Sequence, residues 1–338
     1  MATTDGVTAL PSPPTDGVTA VEWGPASNSN DLLVSSWDAS LRLYDGVQAQ
    51  LKSKVELPSA SLDCCFGASP ATAYAAGLDH SLNGVDFETG ATSAVGSHDG
   101  AVKCVGLGSA SQVVSASWDR TLRTWDPRAA TPAVACAPLP GKAFTMGIVG
   151  HRVVVGTSER HVLLFDLRKL SPGDTSPEQR RASSLKFQTR CIGTSPIPHA
   201  VHGACYVLGS IEGRVAVEFV EQDVEHHKFA FKCHRSKAED GAEVVHPVNA
   251  VAFHPVHGTF ATGGCDGVVS QWDAVNRKKV ATIGDFDTSI SALSFSHDGA
   301  RLAIAASYTF EEGEKDHPPD AIFVRSMADH EVRPKLRK

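Results

Sequence analysis

The chain has 338 residues, 42% of them hydrophobic, with 29 Gly, 19 Pro and a formal net charge of −7; it can bury one large core or two ordinary ones, and its turn residues imply many short elements. No stretch approaches the roughly 20 apolar residues of a membrane-spanning helix, and MATTDGVTAL at the N-terminus has no basic patch followed by an apolar run, so a soluble intracellular protein is expected and no membrane partner. The eight cysteines form no CxxC pair and read as small buried thiols, not as a disulfide scaffold.

TDGVTA occurs twice, at 4–9 and 15–20, with PSPP between. The first copy is expected in a flexible arm over residues 1–14, the second at the start of the folded body. Seven alternating apolar runs then follow: VTAVEWGP, LDCCFG, VKCVGLG, FTMGIV, TRCIGT, VNAVAFHP and ISALSFSHDG. Behind each of the first six lies a segment anchored on an acidic residue, in turn Asp38, Asp79, Asp119, Glu159, Glu212 and Asp266. Seven residues after each anchor stand Asp45, Asp86, Asp126, Asp166, Phe219 and Asp273. The anchors are separated by 41, 40, 40, 53 and 54 residues, and the wider gaps leave room for polar loops at 171–179 and 236–243. The seventh unit, LAIAASYTFEEGEKDHPPDAIFVRS, keeps its strands but has a charged, Pro-containing loop for a turn, and residues 329–338 read as a basic tail.

This period, with its terminal aromatic-Asp pairs, resembles the WD-repeat family, whose units are four-stranded antiparallel blades around a channel. The resemblance implies an all-β fold, a seven-bladed WD-repeat β-propeller over residues 15–328. In that family a His before the first strand, a Ser or Thr, the turn Asp and the terminal Trp form a buried hydrogen-bond chain. His98, Ser117, Asp119 and Trp125 would make one such set, and His246, Asp266 and Trp272 most of another. These residues are read as structural, since a buried carboxylate must be paired to be tolerated. Blade 2 carries Val85 in place of the terminal aromatic and should be held more weakly.

An enzyme is not expected, because the chain has no GxSxG elbow, Walker loop, HExxH helix or dinucleotide fingerprint, and no cofactor is called for. His226, His227, Cys233 and His234 are the nearest approach to a metal set, but adjacent histidines on a strand point to opposite faces, so no metal is expected. Charge is more informative. Residues 180–237 hold nine basic side chains against five acidic ones, so this segment is net +4 and the remainder −11. An acidic partner would meet this face first, whereas direct nucleic-acid binding would call for a more basic domain.

Two features exceed what a blade requires. Arg214 in SIEGRVAVEF stands where other blades have Ser40, Ser81, Thr121, His161 and Val268. It either pairs with Glu212 or Glu218, or anchors a carboxylate or phosphate, for which a planar five-donor fork is suited. Trp37 and Trp118 directly precede the turn Asp of blades 1 and 3, where the other blades carry Leu78, Ser158, Ile211 and Cys265. Each indole either covers its own turn or serves as an interface anchor on a shared rim.

LLVSSWDASLRLYD, SASWDRTLRTWDPR, RRASSLKFQTRC, GSIEGRVAVEF, FAFKCHR, HPVNAVAFHPVHGTFATGGCDG and LAIAASYTFEEG, spread over nearly the whole chain, closely resemble the spindle-assembly-checkpoint WD-repeat family that accompanies the Bub and Mad checkpoint kinases. The resemblance implies a non-catalytic, monomeric adaptor of the mitotic checkpoint complex, nuclear and cytoplasmic, and at kinetochores in mitosis. Its propeller face would bind a Glu-containing peptide motif of the checkpoint kinase and of its pseudokinase-like relative, and recruit them to phosphorylated Met-Glu-Leu-Thr repeats of the outer-kinetochore scaffold. Trp37, Trp118, Arg190 and Arg214 match the kinase-peptide positions, and Arg214, Lys232 and Arg235 the phosphate-binding ones. The alternative is the sister family of WD-repeat mRNA-export factors, which binds a similar peptide of a nuclear-pore protein. FKCHRS and FHPVHGT resemble that family at least as well, whereas QTRC, DPR, FDLRK and DAIFVRS look more like the checkpoint proteins. A ubiquitin-ligase receptor is a weaker third reading, resting on DPR and DLR.

Overall fold

Each of the seven apolar runs becomes the inner strand of a four-stranded antiparallel sheet in this computed structural model, which describes residues 6–25, 30–69, 71–108, 112–198 and 203–334. Blades 1 to 6 span 18–56, 61–97, 102–138, 143–182, 189–232 and 248–285, and blade 7 is built on 290–326. Consecutive inner strands pack side by side, and the seventh returns to the first, which closes the ring around a channel. The apolar side chains of neighbouring blades merge into clusters between sheets, such as Val215, Val217 and Phe219 of blade 5 with Val248 and Phe260 of blade 6.

The anchors have a local cause. Asp38, Asp79, Asp119 and Asp266 each accept the backbone N–H two residues on, from Ser40, Ser81, Thr121 and Val268. That closes a tight turn and places the intervening residue at positive φ: Ala39, His80, Arg120 and Gly267. The second aspartate of each unit does the same at the opposite end of the blade; Asp45, Asp86, Asp126, Asp166 and Asp273 all accept N–H groups two or three residues on. In DPR and DLR the arginines Arg128 and Arg168 fold back on Asp126 and Asp166 with two-pronged contacts.

Blade 5, with Phe219 in that position, is held differently. Arg181 from the outer strand of blade 4, itself buried, donates to Phe219 O at 2.5 Å and Val220 O at 2.9 Å. Beside it the sealed carboxylate of Glu218 accepts Ser184 N–H at 3.0 Å and Tyr206 O–H at 2.8 Å.

Three expectations need correction. In the blade-3 chain the hydroxyl is Ser115, not Ser117: Trp125 Nε1 donates to Ser115 Oγ at 2.8 Å, Ser115 lies 2.7 Å from His98 Nε2, and His98 Nδ1 is 2.9 Å from Asp119. The imidazole is long enough to reach one pleat below the turn, while Ser117 bonds Gly100 O and Ala101 O. In blade 6 the histidine is His234, not His246. His234 bridges Asp266 at 2.9 Å and Thr262 at 2.8 Å, and Trp272 Nε1 donates to Thr262 at 2.9 Å. A hairpin of Arg235–Lys237 and Glu243–Val245, inserted where a loop was expected, separates this histidine from its blade and leaves His246 against Ser236. The same bonds take His234 out of the metal candidate, and His226 and His227 sit in a 3-10 turn instead of a strand.

The N-terminal residues 1–14 are not simply an arm. Val7–Ala9 form the outer strand of blade 7, with Val7 opposite Arg325 and Ala9 opposite Phe323, and Leu10 is buried in the core between blades 7 and 1. The two copies of VTA thus serve as the last and first strands of the ring. The tail is likewise docked in part: Asp329–Val332 form a short helix, Val332 is buried, and Thr259 Oγ1 donates to Val332 O at 2.6 Å. Arg325 grips Glu331 at 2.8 and 2.9 Å. Residues 1–5 and 335–338 lie outside the described residues.

Candidate peptide-binding face

Every inner strand carries the same irregularity. Pairing slips between its first and third residues in all seven blades, from Val18/Ala20 in blade 1 to Ile290/Ala292 in blade 7. A bulge drops one residue from the ladder and re-aims its side chain. The residues so released, Thr19, Leu62, Lys103, Phe144, Arg190, Asn249 and Ser291, all line one cavity of about 720 Å³ at the channel mouth. Trp37, Trp118, Gln188, Tyr308 and Phe310 also line it, with Asp16 among the remaining wall residues. Three of the expected peptide contacts, Trp37, Trp118 and Arg190, therefore meet in one bowl.

Trp37 is 44% exposed, and Phe310 and Phe187 are also exposed. Trp118 is half-buried, its Nε1 has no acceptor among the described residues, and Lys142 Nζ stands 6.0 Å from its ring. Arg190 is half-buried at the rim, with no hydrogen-bond acceptor and no ion-pair partner among the described residues.

Arg214, Lys232 and Arg235 are not among the residues of the bowl wall and form a second cluster on blade 5 and the inserted hairpin. Arg214 and Lys232 are cross-strand partners. Arg214 pairs with neither Glu212 nor Glu218, and its guanidinium has no acceptor among the described residues. Arg235 is engaged: Nη1 meets Glu243 at 2.6 Å and Nη2 donates to Glu212 O at 2.9 Å. Lys232 approaches the same Glu243 at 3.6 Å. The backbone before Arg214 must be glycine, because Gly213 has φ +59 and a Cβ there would lie 2.8 Å from Cys233 O.

Where adjacent inner strands meet, Glu22 of blade 1 and Asp63 of blade 2 interact. Burial, then the charge of Asp63, pushes Glu22 up to about 8. Burial likewise raises Asp63 to about 6 against the pull of Lys103, and its carboxylate accepts the N–H groups of Val105 and Cys64 at 2.9 Å each.

The bulged ring escaped sequence reasoning, although its residues stood second in five of the seven runs and first in LDCCFG and FTMGIV. A strict two-residue alternation conceals it, because the bulge changes phase at that residue. Glu243 was also missed, having no counterpart in the other repeats.

The WD domain, G-beta repeat model matches residues 6–45, 88–126 and 243–273. The chain is 47% identical to mitotic checkpoint protein BUB3.1 of Arabidopsis thaliana over 96% of its own length and 94% of the relative's. It is 32% identical to mRNA export factor GLE2 of Chaetomium thermophilum, over 96% and 92% of the two chains. Among solved structures it is similar in fold to the WD40 repeats of RRP9, with a TM-score of 0.79 at 13% identity, covering 96% of this chain and 98% of that one.

Proposed function

This chain belongs to the Bub3 family of WD-repeat mitotic checkpoint proteins, and we propose that it acts as a monomeric, non-catalytic adaptor that holds two short peptides on one face of the ring. The mouth, with Trp37, Trp118 and Arg190, takes the Glu-containing motif of a checkpoint kinase and its pseudokinase-like relative. Arg214, Lys232 and Arg235 take the phosphothreonine of Met-Glu-Leu-Thr repeats on the outer-kinetochore scaffold. Arg214 serves both ligands, and the assembly feeds the mitotic checkpoint complex from nuclear and cytoplasmic pools.

One observation carries this reading: Arg190 and Arg214 present guanidinium groups without an internal acceptor among the described residues. A half-buried fork left unpaired costs stability and is satisfied by an incoming carboxylate or phosphate. The greater identity to a checkpoint protein than to an export factor supports the choice between sister families. Pulldown from mitotic extract tests that choice, since capture of a nuclear-pore protein without checkpoint kinases would favour the export reading.

Calorimetry tests the site. Trp37→Ala or Trp118→Ala should weaken kinase-peptide binding by about 2 kcal/mol or more with little change in melting temperature. Arg214→Ala should impair both peptides by roughly 2 to 5 kcal/mol, and Arg235→Ala mainly the phosphopeptide. Normal binding of both peptides by Arg214→Ala would sink the anchor role.

A further inference from the structure

The phosphate-binding cluster already holds an anion. Glu243, on the second arm of the inserted hairpin, places one carboxylate 2.6 Å from Arg235 Nη1 and 3.6 Å from Lys232 Nζ. Arg235 is only 16% exposed, whereas Glu243 is 52% exposed and Lys232 57%. The carboxylate thus covers the cation from the solvent side. On the other side, Arg235 Nη2 is committed to Glu212 O, and its Nε is buried without a partner. An anion arriving from solvent can reach the Nη1 edge of Arg235 only by displacing Glu243. Arg214, the cross-strand neighbour of Lys232, is free to receive that anion first.

We propose that Glu243 is a tethered competitor for the phosphate site, an internal monoanion that sets which ligand charge can enter. The inference rests on the phosphopeptide reading above and assigns its selectivity. Glu243 carries one negative charge, and a phosphothreonine carries nearly two at neutral pH with three acceptor oxygens. Phosphate therefore outbids the tethered carboxylate for Arg235 and Lys232, while a Glu or Asp side chain on an incoming peptide meets an equal competitor that is already in place. Desolvation opposes the contact, but Arg235 and then Lys232 hold the Glu243 carboxyl below the ordinary range, so it remains charged at neutral pH. The next hairpin residues, Val244 and Val245, line a cleft of about 550 Å³ that Asp287, Glu311, Glu312 and Asp316 also line, so an incoming phosphate is held at the basic cluster and not in that cleft. Release of Glu243 needs only a side-chain rotation, because its backbone stays paired opposite Lys237 in the hairpin.

The test is a titration of three Met-Glu-Leu-Thr peptides, with phosphothreonine, with threonine and with glutamate in the threonine position, into wild type, Glu243→Gln, Arg235→Ala and the double variant. Glu243→Gln should bind the phosphopeptide about fivefold more tightly, the scale of an exposed ion pair. It should also gain binding of the glutamate peptide that wild type discriminates against, and both gains should vanish in the Arg235→Ala background. A melting temperature within a degree or two of wild type shows that the hairpin is intact. If wild type prefers phosphate but Glu243→Gln binds no more tightly, Glu243 is only a hairpin clamp and the inference falls. If wild type shows no preference for phosphate at all, the phosphopeptide reading itself falls, and the competitor with it.

Discussion

Replacing Glu22 with Gln should make the ring more stable at alkaline pH and flatten its dependence on pH. In the folded protein, burial and the nearby Asp63 carry this carboxyl from the usual 4.5 to about 8. Between those values the folded state holds a proton that the unfolded chain releases, so stability falls as pH rises through the window and levels off above it. At ~1.4 kcal/mol for each pH unit between the two values, the penalty grows to about 5 kcal/mol once both forms are ionised. Most of it accumulates between pH 5 and pH 9, about 4 kcal/mol. A Gln side chain keeps the shape and the polar end without titrating. Urea unfolding of wild type and Glu22→Gln at half-unit steps from pH 5 to pH 9 reads the effect of Glu22 together with its coupling to Asp63, whose own titration shifts when its charged neighbour is removed. Equal slopes of stability against pH would refute the reasoning and give Glu22 an ordinary hydrated carboxyl.

The buried chain of blade 3 makes a comparison possible between two serines. Ser115→Ala leaves Trp125 Nε1 and His98 Nε2 without partners and should cost about 2 to 4 kcal/mol, whereas Ser117→Ala should cost about 1, as read from thermal or urea melts. The reverse ranking would restore Ser117 to the chain. Deleting residues 1–10 removes Leu10 from the core and bares the edge of Ala321–Ser326, and should cost about 3 kcal/mol or more and promote self-association on size exclusion. An unchanged melting temperature would return this segment to the status of an arm.

Blade number and turn positions could be read from the chain because one physical device repeats: an aspartate that caps a turn, then an aromatic and a second aspartate seven residues on. Where the device is replaced, the sequence falls silent. Nothing local connects Arg181 in blade 4 with the carbonyl of Phe219 in blade 5, and that bond compensates for the missing second aspartate. His234 was legible as a residue but not as a blade-6 residue, because the hairpin displaces it from the expected spacing. Of the site, the tryptophans and Arg214 stood out by contrast with equivalent positions. Arg235 was found by resemblance, and its occupancy by Glu243 depends on a hairpin that polar composition alone reads as loop.

The closing strand also constrains how the protein is made. Blades 1 to 6 are continuous stretches of chain and can form as each leaves the ribosome, but Val7 waits for Arg325, about 300 residues later in synthesis. Until then the nascent protein carries an open blade and an unmatched first inner strand, the kind of exposed edge that aggregates or recruits a chaperone. The bowl draws one side chain from every inner strand, the last being Ser291, so its wall is complete only when blade 7 has been made and its inner strand lies beside that of blade 1. Under the proposed function, peptide binding at the bowl would report that the ring has been made to its last blade, and a truncated molecule would lack the complete wall.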